Sequence, residues 1–304
     1  MDKIAIIQNF VNKHCEIKQR DDNWYKLIGK TIGGSEIATL LGENPYKTKE
    51  SLIDQKMQMA KGEYIWENIF YCNWGIVFED IIAEFTKMRY NIEIYGDEIS
   101  VIDGNVRYSP DGIALIDNQI TLLEFKCPAT RKIKFNGKVP KQYEKQVQCG
   151  MCVVDIVERG LYIEGTFKLC AYSDLDFSTN YNLNFHGYAK YSTQPIAVGI
   201  IIVYGQDTLL QKKYRTQIID FGSADRSDIE YIFGSKLPMK RFMWTENIDL
   251  SNIFDHDTEN ILGMIPWKLM EYNTVDVYKD DSFMISIRPI IDSAMADVLI
   301  KDRN

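Results

Sequence analysis

The sequence predicts an α/β protein of the α+β type, in which helices flank a mixed, largely antiparallel central sheet. The chain has 304 residues, of which 45% are hydrophobic, so it can bury one sizeable core and a smaller second one. Helical periodicity dominates the first 90 residues, and short alternating segments follow. Runs of helices followed by runs of strands are typical of this fold class.

Three segments near the N-terminus carry helical spacing. They run from Lys3 to about Cys15, from Thr48 to about Lys61 and from Trp66 to about Met88. The third predicts a long, well-packed helix that carries Glu79. Between the first two, Ser35 is placed as the N-cap of a short helix, because its hydroxyl precedes a run with apolar periodicity.

Strand patterns follow the long helical segment. Ile92–Ile102 alternates, and Ile113–Ile116 and Ile120–Phe125 are predicted as two short strands joined by Asp117-Asn118. The later predicted elements are a helix from Pro140 to about Glu158, strands at Leu161–Tyr172 and Gln194–Tyr204, a loop over 180–192 and a helix near Ser227–Phe233. Residues 1–204 are assigned to the core that bears the motifs, and residues 205–304 to a C-terminal extension outside it.

Charge is distributed unevenly along the chain. The formal net charge is -8, which at first argues against a polyanionic partner. Residues 225–304 carry 15 acidic and nine basic residues, whereas residues 126–145 carry seven basic residues and one acidic residue. A basic segment therefore lies in the middle of the chain, and the acidity is concentrated at its end.

Cysteine usage and hydropathy predict a soluble protein in a reducing compartment. The chain has six cysteines, and no apolar secretory segment lies at the N-terminus. Cys149 and Cys152 have the spacing of metal ligands, but two further soft ligands are missing, so both are predicted as helix residues. The longest apolar run, Ile196–Tyr204, is too short to span a membrane, and no membrane is expected as a partner.

The predicted hairpin brings two acidic residues together. If Asp117-Asn118 is a two-residue loop, Asp111 lies directly opposite Glu124, and like charges in that arrangement are destabilising unless a cation neutralises them. A hard divalent cation is the natural candidate, because it prefers carboxylate ligands. Lys126 lies two residues beyond Glu124 and therefore on the same face of its strand. Two carboxylates and a lysine on one face predict a site for metal-assisted phosphodiester hydrolysis.

Each of these residues has a plainer interpretation when it is taken alone. Asp111 could be only a turn residue in Ser-Pro-Asp-Gly, and Glu124-Phe125-Lys126 could be a solvated strand edge. Glu79 could be a surface charge on its helix. The combination of Pro-Asp, twelve residues and Glu-x-Lys resembles the signature of the restriction-endonuclease-like nuclease superfamily, and this implies a nuclease core of that fold.

A longer ordered set of motifs resembles the YqaJ-type viral recombinase, or lambda exonuclease, family. The set covers roughly residues 20–172. Its members are Asp21-Asp22-Asn23-Trp24-Tyr25-Lys26-Leu27, Ile32-Gly33-Gly34-Ser35-Glu36, Asn44-Pro45-Tyr46, Trp74-Gly75 with Phe78-Glu79, Ser109-Pro110-Asp111-Gly112, Leu123-Glu124-Phe125-Lys126-Cys127-Pro128 and Gln146-Val147-Gln148. The resemblance implies a magnesium-dependent 5′→3′ exonuclease that degrades one strand of double-stranded DNA for recombination or repair by strand annealing.

The resemblance also implies roles for individual residues. Asp111, Glu124 and the main-chain carbonyl of Phe125 correspond to metal ligands, and Lys126 corresponds to the catalytic lysine. The remaining implied site residues are Glu79, as a helix-borne acid that binds metal directly or through water, and Gln146, as a positioning residue. Two Mg²⁺ ions per site are expected, with Mn²⁺ able to substitute.

A second implied site binds the 5′-terminal phosphate of DNA. Ser35 corresponds to the serine of this site, and Gly34 before it allows close backbone approach. Family members have an arginine seven residues before this serine, but here that position is Ile28. Lys30 is the predicted substitute, although a lysine lacks the bidentate contact of an arginine. The predicted contacts to the DNA backbone are Arg131, Lys132, Lys134, Lys138 and Lys141.

The expected partners follow from the same resemblance. They are double-stranded DNA ends, preferably 5′-phosphorylated, a single-strand annealing protein, and further copies of the chain in a trimeric ring, in the cytoplasm of an infected host cell. Two alternatives remain open at this point. One is an end-specific or structure-specific endonuclease of the same superfamily, and the other is a non-catalytic DNA-binding or host-interaction protein that retains the fold.

Overall fold

The structure is a computed structural model that describes residues 2–16, 24, 27–64, 70–175, 188–190, 195–204, 239–244 and 261–302. The α-helices are α1 (Lys3–His14), α2 (Ile37–Leu40), α3 (Lys49–Lys61), α4 (Phe70–Tyr90), α5 (Lys141–Val153) and α6 (Phe283–Asp302). The strands are β1 (Ile32–Gly33), β2 (Val101–Asp103), β3 (Val106–Tyr108), β4 (Gly112–Ile116), β5 (Gln119–Lys126), β6 (Arg159–Leu169), β7 (Tyr188–Lys190), β8 (Ala197–Tyr204), β9 (Met239–Trp244) and β10 (Ile261–Val277).

The strands form two sheets. A seven-stranded sheet has the order β4-β5-β6-β10-β8-β9, with β7 paired to β10. All of its pairs are antiparallel except β5 and β6, which run parallel. A small sheet has the order β1-β3-β2, in which β1 and β3 are parallel. The predicted mixed, largely antiparallel sheet is confirmed.

Helices cover both faces of the large sheet, as predicted. Leu122 of β5 faces a core built from α1, α2, α3, α5, α6 and the small sheet. Its neighbour Leu123 faces a second core, in which the aromatic side of α4 packs on the sheet. Successive residues of a strand point to opposite faces, so β5 contributes to both cores at once.

The β4–β5 hairpin has the predicted register. Gly112 pairs with Leu123 and Ile116 pairs with Gln119, which places a two-residue loop at Asp117-Asn118. Both loop residues have positive φ, at 50° and 60°, as in a type I′ turn. Aspartate and asparagine tolerate this conformation better than most residues, so the local sequence itself fixes the register of the strands.

The boundary expected at residue 204 does not divide the described fold. β10 lies in the middle of the large sheet between β6 and β8, and α6 packs into the first core through buried residues such as Phe283 and Ile291. The Gln148 side chain accepts from Asp280 N at 2.9 Å and donates to Tyr278 O at 2.8 Å, which ties α5 to the link between β10 and α6. Residues 261–302 therefore complete the core and are not an extension outside it.

Three other element predictions need correction. Ile92–Ile102 is not one strand, because Gly96 has a φ of +73° and interrupts the extended run. Helix α5 ends at Val153 and not near Glu158. Val154 and Val157, which follow it, are buried but lie in a non-helical segment. The 180–192 segment contains strand β7. The helix predicted near Ser227–Phe233 lies outside the described residues.

The helix predictions near the N-terminus hold to within a few residues. Thr48 caps α3 by accepting from Ser51 N at 3.2 Å, and Gly62 ends it in the left-handed conformation. Cys149 and Cys152 both lie in α5, as predicted. Among the described helices, none combines the length and hydropathy needed to cross a bilayer.

Candidate active site

The β4–β5 hairpin positions the predicted acidic residues and the lysine. Asp111 immediately precedes β4, and Glu124 and Lys126 lie on β5. Leu123 and Phe125 alternate with them and are buried against the α4 side of the sheet. Because this apolar pair fixes the face of the strand, Glu124 and Lys126 must point to the opposite face.

Three oxygen atoms converge on the Lys126 ammonium group. Lys126 Nζ forms an ion pair with Glu124 Oε1, donates to Phe125 O at 2.9 Å and lies 3.9 Å from Asp111 Oδ2. These are the three residues whose oxygens were predicted to bind metal. Their convergence on one positive charge is the arrangement that a cation site requires, and carboxylate and carbonyl oxygens suit a hard divalent cation.

Electrostatic repulsion within the cluster is evident in its pKa values. Burial and the neighbouring Glu124 carboxylate raise the pKa of Asp111 well above its usual value, against the opposing effect of Lys126. Burial lowers the pKa of Lys126, but the carboxylates of Glu124, Asp111 and Glu79 outweigh it and raise that pKa overall. The cluster therefore favours additional positive charge.

Glu79 lies on α4 and is partly exposed. It raises the pKa of Asp111 and Lys126 through its charge, so it is within electrostatic range of the cluster. Within the described part of the chain, no group of three or more acidic, histidine or cysteine side chains is close enough to hold a metal by itself. The oxygens that surround Lys126 Nζ are thus those of two carboxylates and one carbonyl, and Glu79 acts on this cluster through its charge.

Tyr108 is a site residue that the sequence reasoning missed. Its hydroxyl donates to Glu124 Oε2 at 2.6 Å, and its side chain is only 2% exposed. A Cβ atom at Gly34 or Gly150 would lie 2.5 Å or 2.3 Å from the tyrosine ring, so both positions require glycine. The sequence predicted only a close backbone approach at Gly34. The Tyr108 ring explains why a side chain cannot be placed there.

A cavity of about 270 Å³ adjoins the cluster. Its lining includes Tyr108, which donates to Glu124, and Ser109, which lies two residues before Asp111. Ser35, Gly34 and Gln146 also line it, so the structure brings these three predicted residues together. Ser35 is not an N-cap, however, because it lies inside a short 3₁₀ helix (Gly34–Glu36) that Gly33 caps.

Comparison with known proteins shows which family the region around this site resembles. Residues 23–156 match the family model described as the YqaJ-like viral recombinase domain, a range that contains all the residues of the cluster and the cavity residues named so far. This part of the chain is therefore similar to the YqaJ-like viral recombinase domain. The predicted family resemblance is therefore confirmed.

Individual proteins are similar to this chain at lower identity. A protein of African swine fever virus, Pretoriuskop isolate, is 25% identical over 310 residues, which cover 92% of this chain and 86% of that protein. The crystal structure of an alkaline exonuclease from Laribacter hongkongensis aligns with a TM-score of 0.49 at 10% identity, over 93% of this chain and 95% of that one. A phage-related exonuclease from Haemophilus somnus aligns with a TM-score of 0.46 at 12% identity, over 92% and 99% of the two chains.

In this YqaJ-like domain, the basic side chain that lines the cavity is Arg107 and not the predicted Lys30. Lys30 is exposed and is not among the described residues that line the cavity, whereas Arg107 of β3 lines it. Ile28, at the position where the family has an arginine, is a buried lining residue. Arg107 escaped sequence reasoning because it lies more than 70 residues from Ser35 and belongs to no recognised motif.

The basic loop after β5 of the YqaJ-like domain splits into two kinds of residue. Lys132, Lys134, Lys138 and Lys141 are exposed, as contacts to a phosphate backbone require. Arg131 instead forms an ion pair with Glu164, which is 1% exposed and also accepts from Tyr162 Oη at 2.8 Å. The structure therefore uses Arg131 to anchor the loop to β6, and its charge is already balanced.

Proposed function

We propose that the protein is a metal-dependent deoxyribonuclease that degrades double-stranded DNA from 5′ ends, with Mg²⁺ as its cofactor. The observation that carries the proposal is the convergence of oxygens from Asp111, Glu124 and the Phe125 carbonyl on the Lys126 ammonium group. The YqaJ-like domain supports it, because the matched range includes the entire cluster. The viral relative supports a role during infection of a host cell.

The residues of the cluster have distinct roles in phosphodiester hydrolysis. Divalent cations held by Asp111, Glu124 and the Phe125 carbonyl, with Mn²⁺ able to replace Mg²⁺, would polarise the phosphate and lower the pKa of bound water. Lys126 supplies a positive charge beside the scissile phosphate, where negative charge develops in the transition state. Tyr108 donates to Glu124 and orients its carboxylate, and Gln146 lines the cavity.

The exposed lysines of the basic loop provide a path for the DNA backbone. Lys132, Lys134, Lys138 and Lys141 follow the Glu-x-Lys strand directly, and the described residues include no buried ion-pair partner for any of them, unlike Arg131. Contacts of this type position the duplex without reading its sequence. A single-strand annealing protein and a trimeric ring are proposed as further partners from the family alone.

A duplex with defined ends tests the proposal. We expect linear DNA labelled at one 5′ end to release labelled mononucleotide from the first time points in Mg²⁺, and covalently closed circles of the same sequence to remain intact. EDTA should stop the release. Internal cuts in closed circles would instead establish the endonuclease alternative. Binding of DNA that stays uncut with or without Mg²⁺ would establish the non-catalytic alternative.

Removing the hydroxyl of Tyr108 tests its positioning role. In Tyr108→Phe, the buried Oε2 atom of Glu124 loses its donor, so we expect the Mg²⁺ concentration for half-maximal cleavage to rise about tenfold, as is typical when support for a metal ligand is lost. Tyr46→Phe is the matched control, since Tyr46 is 86% exposed. An unchanged Mg²⁺ requirement in a folded Tyr108→Phe protein would show that Glu124 is oriented without this bond.

A further inference from the structure

The structure assigns Arg107 as the residue that recognises the 5′-terminal phosphate of DNA, in the cavity that it shares with Ser35. The inference rests on the proposed nuclease function and replaces the prediction for Lys30. It makes Arg107 the determinant of selectivity between phosphorylated and unphosphorylated ends.

Arg107 is held in place by two neighbours, Gly33 and Trp24. β1 and β3 pair in parallel with Gly33 beside Arg107, and a Cβ atom at Gly33 would lie 2.9 Å from Arg107 Nη2. The guanidinium also lies over the Trp24 ring, 5.1 Å from its centroid. The glycine leaves room for the guanidinium and the aromatic ring fixes its plane, so the group is oriented before any ligand arrives.

The guanidinium of Arg107 is left with unused donors. Arg107 is 8% exposed, and its Nε has no hydrogen-bond partner among the described residues. Its Nη1 reaches Ser109 Oγ only at 3.5 Å. A buried cation with five N–H donors is costly unless those donors are used, and an oxyanion that accepts two of them in parallel is the ligand that fits an arginine best.

The acidic residue of the cavity does not cancel this charge. Glu36 lines the cavity, but its Oε2 atom lies 2.6 Å from the Nζ atom of the fully buried Lys56 and accepts from Gly33 N at 2.7 Å. Glu36 also acts on Arg107 through its charge, so two cations, Lys56 and Arg107, face one carboxylate. A net positive charge remains, and the cavity as a whole favours an anion.

The position of the cavity indicates which anion it receives. Ser109 lies two residues before Asp111, and Tyr108 donates to Glu124, so an anion bound here lies next to the hydrolytic cluster. A terminal phosphate has more free oxygens and more charge than an internal phosphodiester, and it can enter a cavity that a continuous strand cannot. Ser35, which is exposed at this cavity, supplies a further hydroxyl donor.

Binding of two matched duplexes tests the assignment. Each duplex has one blocked end and one free end that carries either a 5′-phosphate or a 5′-hydroxyl, and affinity is measured by fluorescence anisotropy with Ca²⁺ in place of Mg²⁺. We expect the parent protein to prefer the phosphorylated end by at least about tenfold. Arg107→Gln should reduce that ratio to about one without weakening binding of the hydroxyl end, and the control Lys30→Gln should keep the parental ratio.

Further variants keep the test decisive. Two other variants serve if thermal melting shows that Arg107→Gln is not folded. Arg107→Lys retains the charge without the bidentate donors of the guanidinium, and Gly33→Ala displaces the guanidinium. Both should lower the preference for the phosphorylated end severalfold. The assignment is overturned if folded Arg107 variants keep the parental preference for the phosphorylated end, or if Lys30→Gln loses that preference. A protein that shows the ratio but cuts no DNA in Mg²⁺ contradicts the nuclease proposal instead, so the two failures are distinguishable.

Discussion

Asp111→Asn is expected to abolish metal-dependent cleavage without destabilising the protein. The asparagine keeps an oxygen that can accept from Phe125 N, a bond of 2.8 Å in the structure, but it removes a charge that the metal needs. Loss of a ligand that supports several kcal/mol of transition-state stabilisation should lower the cleavage rate by about 10³-fold or more. Steady-state cleavage of the labelled linear duplex measures this loss of rate relative to the parent.

The melting temperature provides the second readout for Asp111→Asn. Burial and Glu124 disfavour the charged form of Asp111, as its raised pKa indicates, so the metal-free variant should melt at or above the temperature of the parent. The increase in melting temperature that Mg²⁺ produces should disappear. Cleavage within a few-fold of the parental rate, with the Mg²⁺ stabilisation retained, would mean that Asp111 is only a turn residue.

Lys126→Met is expected to lower cleavage by about 10² to 10³-fold, because a preorganised positive charge beside the reacting phosphate is lost. It should also destabilise the metal-free protein. Glu124 is fully buried and forms an ion pair with Lys126, and removing one partner of a buried pair costs about 3 kcal/mol or more. Thermal unfolding with EDTA should therefore show a lower melting temperature than the parent.

The response of Lys126→Met to metal separates a site residue from a structural one. Lys126 is bound by the same oxygens that are proposed to bind Mg²⁺, so without it Mg²⁺ should raise the melting temperature more than it does in the parent. Lys61→Met, at an exposed position near the end of α3, is the control. If Mg²⁺ stabilises Lys126→Met no more than the parent, then the lysine and the metal do not share these oxygens.

Local sequence rules were sufficient for the hairpin that carries the cluster. A two-residue Asp-Asn loop permits one register, and that register fixes the pairing of β4 with β5 and the faces of Glu124 and Lys126. The long helix with Glu79 was equally predictable, since its apolar face repeats over 21 residues. These features depend only on residues that are close in the chain.

The sequence by itself therefore predicted the fold class, the resemblance to the YqaJ-like family and the residues that converge at the β4–β5 hairpin. Only the tertiary structure decided that β10 completes the sheet, that Arg131 is neutralised by Glu164, and that Tyr108 and Arg107 serve the site. Each of these depends on pairing between segments that are distant in the chain, such as β1 with β3 or β6 with β10. Periodicity and spacing report which face a residue occupies, but the neighbour across that face is set by packing of the whole chain.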